Sequence, residues 1–119
     1  MHISAVAIGR CMEILKKELK GKGIKFFVGK ERELARAYLY ILKNDLHEEP
    51  FGFMEDVFVD ESLRGQGIGT EIVNYLIAEA KRQGCYKLIC TSRHEKPKVH
   101  GLYKRLGFMD HGAEFRIDF

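Results

Sequence analysis

The chain has 119 residues, of which 45% are hydrophobic and 31% charged, and its formal net charge is +3. This size and balance are typical of one compact soluble domain, so we expect a single domain over residues 1–119. No apolar run reaches the roughly 20 residues that a membrane-spanning helix needs. The weak positive charge does not by itself indicate a nucleic-acid partner.

The three cysteines, Cys11, Cys85 and Cys90, have no spacing typical of a disulfide framework. Free thiols in odd number are typical of a reducing compartment. The N-terminus lacks a charged start followed by an apolar block and a cleavage site, so we expect no secretory signal. These features predict a cytoplasmic protein. We also expect no metal site, because no set of histidines and cysteines has zinc-ligand spacing.

The first half of the chain predicts one helix and three strands. Apolar residues at helical spacing, including Cys11, predict a helix over residues 4–20 with Gly21 as its stop. Alternating patterns predict strands over residues 24–30, 35–43 and 51–59. In a regular third strand, alternation places Met54, Asp56 and Phe58 on one face, and Phe53, Glu55, Val57 and Val59 on the other.

The second half alternates helices with strands. Helices are predicted over residues 70–83 and 96–106, each followed by a glycine. Strands are predicted over residues 86–92 and 113–119. The hairpins of the first half imply antiparallel pairs and the strand–helix–strand unit implies a parallel pair. The sheet is therefore expected to be twisted and mixed, with helices on both faces, in an α+β domain.

The segment "VDESLRGQGIGTEIV" (residues 59–73) places Gly65, Gly67 and Gly69 between a strand and a helix. A helix N-terminus has unpaired amide hydrogens and partial positive charge, and glycines let an anion approach them closely. Arg64 adds a cationic donor. A Walker loop and a dinucleotide fingerprint both have different spacings. The segment predicts a phosphate-binding loop, with a simple glycine-rich turn as the alternative.

Three segments together resemble the GNAT superfamily of acetyl-CoA-dependent N-acetyltransferases. They are "VFVDESLRGQGIG" (residues 57–69), "GCYKLIC" (84–90) and "VHGLYKRLGF" (99–108). Arg64, Gly67 and Gly69 match the family's pyrophosphate motif, and Tyr103 matches its late tyrosine. The family usually has one more strand ahead of its first helix, so the N-terminus is shortened relative to the family. We expect a homodimer that covers the sheet edge left open.

The resemblance and the chemistry of acetyl transfer to an amine together imply roles for twelve residues, and a thirteenth is an alternative base. The backbone of the strand end would bind the pantetheine arm, and the loop amides would bind the pyrophosphate. Tyr103 would be the acid that protonates the leaving thiolate, and Glu55 the base, with Asp56 as the runner-up. The strand-end residues are Val57, Phe58 and Val59; the loop residues are Arg64, Gly65, Gln66, Gly67, Ile68, Gly69 and Thr70.

Two functions of different classes remain open. The first is an enzyme that transfers acetyl from acetyl-CoA to a primary amine of a small molecule or peptide. The second is a non-catalytic CoA-binding sensor or partner module with the same fold. A nucleic-acid-associated acetylase is a weaker third idea, and the charge of +3 does not require it.

Overall fold

The computed structural model of the protein describes residues 3–8 and 12–119. Two helices and six strands are found in these residues, with a single 3₁₀ turn at Glu61–Leu63. The strands are β1 (Ile3–Ile8), β2 (Met12–Lys17), β3 (Lys22–Val28), β4 (Ala35–Leu42), β5 (Phe51–Val59) and β6 (Leu88–Cys90); the helices are α1 (Ile68–Arg82) and α2 (Pro97–Arg105).

The helix predicted over residues 4–20 is wrong. That stretch contains β1 and β2, which pair antiparallel from Ile3 with Lys17 to Ile8 with Met12. Its apolar residues fit a period of two as well as a helical period, and its isoleucines and valine favour strands because they are β-branched. Cys11, which the prediction placed on the helix, lies outside the described residues.

The main sheet has four strands in the order β3-β4-β5-β6. The pairs β3–β4 and β4–β5 are antiparallel, and β5–β6 is parallel. The prediction of a mixed sheet is therefore confirmed. Helix α1 connects the parallel pair, as such a crossover requires.

The core lies between this sheet and α1. Alternate residues of β4 are buried beneath the apolar stripe of the helix, which includes the fully buried Val73 and Leu76. Met54 of β5 completes this layer. From the second helix, Tyr103 and Leu106 pack against the same core, so the core fixes where α2 lies.

A bulge interrupts β5 at Asp56. Glu55 pairs with Tyr38, but the next pair along the ladder joins Phe58 to Arg36, so two β5 residues stand opposite one β4 residue. Asp56 has a φ of 52°, in the left-handed region that aspartate tolerates better than most residues. The extra residue reverses the alternation of side chains along the strand.

The predicted faces of β5 are consequently wrong beyond the bulge. Val57 and Val59 pack against the core on the α1 side. Glu55 is exposed and lies on the opposite face, because its partner Tyr38 alternates with the buried residues of β4. Glu55 therefore does not share a face with the two valines.

The strand predicted over residues 113–119 is also wrong. These residues have no regular secondary structure. Phe115 and Ile117 are 95% and 79% exposed, and Phe119 is fully exposed. A strand needs a hydrogen-bonded neighbour as well as an alternating sequence, and none of the described strands pairs with this segment.

Candidate active site

The connection from β5 to α1 is a loop with two left-handed glycines. Gly65 has a φ of 80° and Gly67 a φ of 79°, angles that an L-residue adopts only at a cost. A Cβ atom built on either glycine would have no neighbour within 4 Å. The glycines are thus required for the backbone path, and the space around them is open to a ligand.

This loop presents a run of amide groups without acceptors. The amide of Arg64 donates to the Glu61 carbonyl at 3.3 Å, and that of Glu71 donates to the Gly67 carbonyl at 3.0 Å. Between them, the amides of residues 65–70 donate to no acceptor among the described residues. Six unpaired donors at the start of a 15-residue helix fit a diphosphate group.

The side chains of the loop brace it from one side. Arg64 Nε donates to the Val59 carbonyl at 3.1 Å, and Gln66 Nε2 donates to the Ser62 carbonyl at 3.3 Å. Arg64 is exposed, and the described residues provide no carboxylate for its guanidinium. Its role in binding an anion at the loop stays a prediction.

Beside the loop, β5 separates from β6. The parallel pairing covers Gly52 with Leu88, Phe53 with Ile89 and Met54 with Cys90, and it ends there. From Glu55 to Val59, β4 is the only described strand that pairs with β5. The resulting gap leaves one backbone edge of Val57, Phe58 and Val59 without a strand partner. It suits an extended ligand arm that contains amides.

Tyr103 stands on α2, on the α1 side of the sheet. It is half-buried, and its ring centroid lies 5.4 Å from that of Phe108. Burial, with a smaller contribution from the nearby Cys90 thiol, raises the pKa of Tyr103 to about 12. The phenol is thus protonated throughout the neutral range. Cys90 ends the parallel pairing, so Tyr103 is placed near the point where the gap opens.

Glu55 and Asp56 stand at the same point of β5, where its pairing with β6 ends. Both carboxylates are exposed, and neither forms an ion pair with a described residue. Glu55 lies on the face opposite to the one that Tyr103 packs against. The sequence-predicted acid and base are therefore on opposite sides of the sheet, with the β5–β6 gap between them.

Known proteins of one family resemble this chain in sequence and in fold. The sequence model of the acetyltransferase (GNAT) family matches residues 9–108. The chain belongs to this family. It is 40% identical over 70 residues to a probable glucosamine 6-phosphate N-acetyltransferase 2 of Oryza sativa subsp. japonica, a match covering 57% of this chain and 39% of the rice protein.

Other relatives extend the comparison. A thialysine N-epsilon-acetyltransferase of Mus musculus is 36% identical over 58 residues, covering 49% of this chain and 34% of the mouse protein. The crystal structure of glucosamine-6-phosphate N-acetyltransferase from Arabidopsis thaliana superposes with a TM-score of 0.72 and 28% identity, over 82% of this chain and 67% of that one. The matches thus span about half or less of the length of the curated relatives.

Some features of the site in this GNAT member could not be predicted from the sequence. The bulge at Asp56 and the proximity of Cys90 to Tyr103 depend on strand register. His100, considered as a neighbour of Tyr103, instead has its Nε2 2.8 Å from the Arg93 carbonyl. Burial raises the pKa of the Cys90 thiol to about 11, so it is a poor nucleophile.

Within the described residues, neither helix has the length and apolar character to cross a membrane.

Proposed function

We propose that this chain contains the catalytic domain of an N-acetyltransferase that transfers acetyl from acetyl-CoA to a primary amine. The observation that carries the proposal is the run of six unpaired amides, residues 65–70, beside a strand that has lost its neighbour. The first feature fits a diphosphate and the second fits the amide-bearing arm that joins it to a thioester. Membership of the GNAT family supports the same assignment.

The reaction needs four tasks from the chain. The amides of residues 65–70 and Arg64 hold the diphosphate, and the free edge of Val57, Phe58 and Val59 holds the arm. The amine nitrogen attacks the thioester carbonyl carbon, a carbon–nitrogen bond forms, and the carbon–sulfur bond breaks. The amine loses one proton to a base, and the thiolate receives one from an acid.

Tyr103 is proposed as the acid. Because its pKa is about 12, it is always protonated at neutral pH and can donate a hydrogen bond to the departing sulfur. Full transfer of this proton to a thiolate is uphill, since thiols titrate near pH 8.5. We therefore propose that Tyr103 first stabilises the thiolate by hydrogen bonding, and that a proton transferred from the phenol is replaced from solvent.

Glu55 is proposed as the base, acting directly or through a water. Its exposed carboxylate at the end of the β5–β6 pairing can accept a proton from an amine that enters from the face opposite α1. Asp56 is its neighbour at the bulge and the second candidate. In this proposal the cofactor arm lies in the gap, and the amine reaches the thioester carbonyl from the face opposite α1.

The acceptor proposed for the first assays is an amino sugar phosphate. The rice and Arabidopsis relatives are named for glucosamine 6-phosphate, whereas the mouse relative is named for thialysine. An amine panel containing glucosamine 6-phosphate, thialysine, polyamines and peptide amines, with detection of released CoA thiol, tests the proposal. Thiol release that depends on one of these amines supports an enzyme. CoA binding without thiol release for any of them supports the non-catalytic module.

We also propose a cytoplasmic homodimer. None of the described strands pairs with the outer edge of β3 along Lys22–Val28, and Phe27 and Val28 on this strand are 62% and 41% exposed. An open edge of this kind is a template on which another chain can pair. Light scattering at high micromolar concentration tests this proposal. A dimer supports it, and a monomer contradicts it.

A further inference from the structure

We infer that Asp60 and Arg32 are positioning residues that hold the cofactor loop in its binding conformation. This inference rests on the proposed function, because it concerns the loop that would bind acetyl-CoA. Neither residue belongs to the glycine motif, and Arg32 is 28 residues away from Asp60 in the sequence. Asp60 contacts both the 3₁₀ turn and the β3–β4 turn, and β5 has a described strand neighbour on one side only at this point.

Asp60 connects three parts of the molecule. Its Oδ2 accepts hydrogen bonds from the Ser62 amide at 3.1 Å and the Ser62 hydroxyl at 2.6 Å, which caps the 3₁₀ turn Glu61–Leu63. Its Oδ1 is 3.1 Å from Arg32 Nη1. The hydrogen bonds from Ser62, with a smaller contribution from Arg32, hold the pKa of Asp60 below its usual range. It is therefore ionised at neutral pH.

The turn between β3 and β4, residues 29–34, and the start of β4 contact the end of β5 from one side. The Asp60 amide donates to the Leu34 carbonyl at 2.7 Å. The Arg36 guanidinium lies over the Phe58 ring, 4.9 Å from its centroid. Glu33 pairs with both Lys25 and Arg36 and so fixes the arginine. These contacts all come from the β3–β4 side.

These contacts are important because none of the described strands pairs with the other edge of β5 here. Beyond Met54 the strand has no partner in β6, so β4, this turn and the packing of Val57 and Val59 on the core set the direction in which the chain enters the loop. Asp60 is the first residue after the strand, and the six unpaired amides begin five residues later. A shift at Asp60 would therefore move the donors that must converge on one diphosphate.

The charge of Asp60 allows a positioning role to be distinguished from a purely electrostatic one. A carboxylate near an anion site repels the ligand, so a residue that acted only through its charge would weaken binding, and its removal would tighten binding. A positioning residue has the opposite effect, since its removal loosens the loop. The sign of the change in CoA affinity thus separates the two roles.

The test compares four proteins by calorimetric titration with CoA and by steady-state kinetics with acetyl-CoA. Asp60→Ala removes the cap and the ion pair, and we expect its Kd for CoA to rise about three- to tenfold, the scale of a lost cap. We expect Asp60→Asn, which can still accept from Ser62, to recover part of that loss. Asp45→Ala is the charge-matched control, because Asp45 pairs with Lys17 before β5 begins; its Kd should stay within twofold.

Four outcomes decide the inference. A rise in KM for acetyl-CoA with kcat within twofold supports positioning of the cofactor, and the recovery in Asp60→Asn supports it further. Unchanged or tighter CoA binding in Asp60→Ala, at a temperature where melting curves show the variant folded, overturns it. An equal effect of Asp45→Ala also overturns it. Wild-type protein that fails to bind CoA refutes the proposed function instead.

Discussion

Replacement of Gly67 by alanine tests the loop at its most constrained point. Gly67 precedes the first residue of α1 and has φ 79° and ψ 9°. An added Cβ would meet no atom within 4 Å, so the substitution causes no clash within the protein. Its effects come from the backbone angle and from the methyl group in the space above the loop.

The size of each effect follows from these observations. Alanine in the left-handed region costs about 1–2 kcal/mol, partly offset because alanine loses less chain entropy on folding than glycine. We expect a loss of about 1 kcal/mol in the free energy of unfolding. A hydrogen bond to a charged group contributes about 1.5–3 kcal/mol. Loss of one amide contact therefore weakens CoA binding roughly 10- to 100-fold.

Gly84 provides a matched control at the other end of the same helix. Its φ is 80°, and a Cβ there also meets nothing within 4 Å. Gly84→Ala should therefore cost a similar free energy of unfolding without affecting CoA. Urea unfolding measures the stability of both variants, and calorimetric titration measures the Kd for CoA. Equal CoA affinity of the two variants would refute the role of the loop, whatever their stability.

The remaining predictions concern the reacting groups and the core. Tyr103→Phe should lower kcat about 100-fold or more while CoA affinity stays within twofold. The control Tyr75→Phe, on an exposed part of α1, should change neither quantity. A normal kcat in Tyr103→Phe would rule out Tyr103 as the acid. Because the pKa of Tyr103 is raised to about 12, the folded wild type keeps this proton above pH 10, where the unfolded chain loses it, so the free energy of unfolding falls as the pH rises from 10 to 12. Ultraviolet titration should show one phenol that titrates near pH 12 in the wild type and is missing in Tyr103→Phe. Its presence in the variant would contradict the assignment. Glu55→Gln should lower kcat by about 10- to 100-fold, and kcat within threefold of wild type would remove Glu55 as the base. Leu76 is fully buried, so Leu76→Ala should lower the free energy of unfolding in urea by about 2–5 kcal/mol. A decrease below about 1 kcal/mol would contradict the described core.

The loop and its flanking elements were predictable because their signals are local. Three glycines between an apolar strand and an amphipathic helix indicate unusual φ angles and a free helix end, and the structure has positive φ at Gly65 and Gly67. The buried stripe of α1 recurs at helical spacing and includes Ile72, Val73 and Leu76. Such patterns depend only on nearby residues.

The faces of β5 could not be read in the same way. Alternation assumes a regular strand, whereas the bulge at Asp56 inserts one residue and reverses the faces beyond it. Aspartate has no strong preference for a bulge, so the sequence carries little sign of it. The position of Glu55 relative to Val57 and Val59 depends on this single residue.

The two ends of the chain illustrate a different difficulty. The apolar residues of 4–20 fit both a helix and a strand, and the pairing of Ile3 with Lys17 decides between them. Residues 113–119 alternate well but have no strand beside them. A strand is defined by its partner, which a local pattern does not contain. The contact of Arg32 with Asp60 joins distant segments and escapes prediction for the same reason.

Amide chemical shifts during titration with CoA test the central claim most directly. Isotope-labelled protein reports each backbone amide separately, and the claim concerns the amides of residues 65–70. We predict that these six signals shift furthest, with those of Val57 and Val59 next. Large shifts elsewhere in the chain, with the six signals unmoved at saturating CoA, would contradict the account.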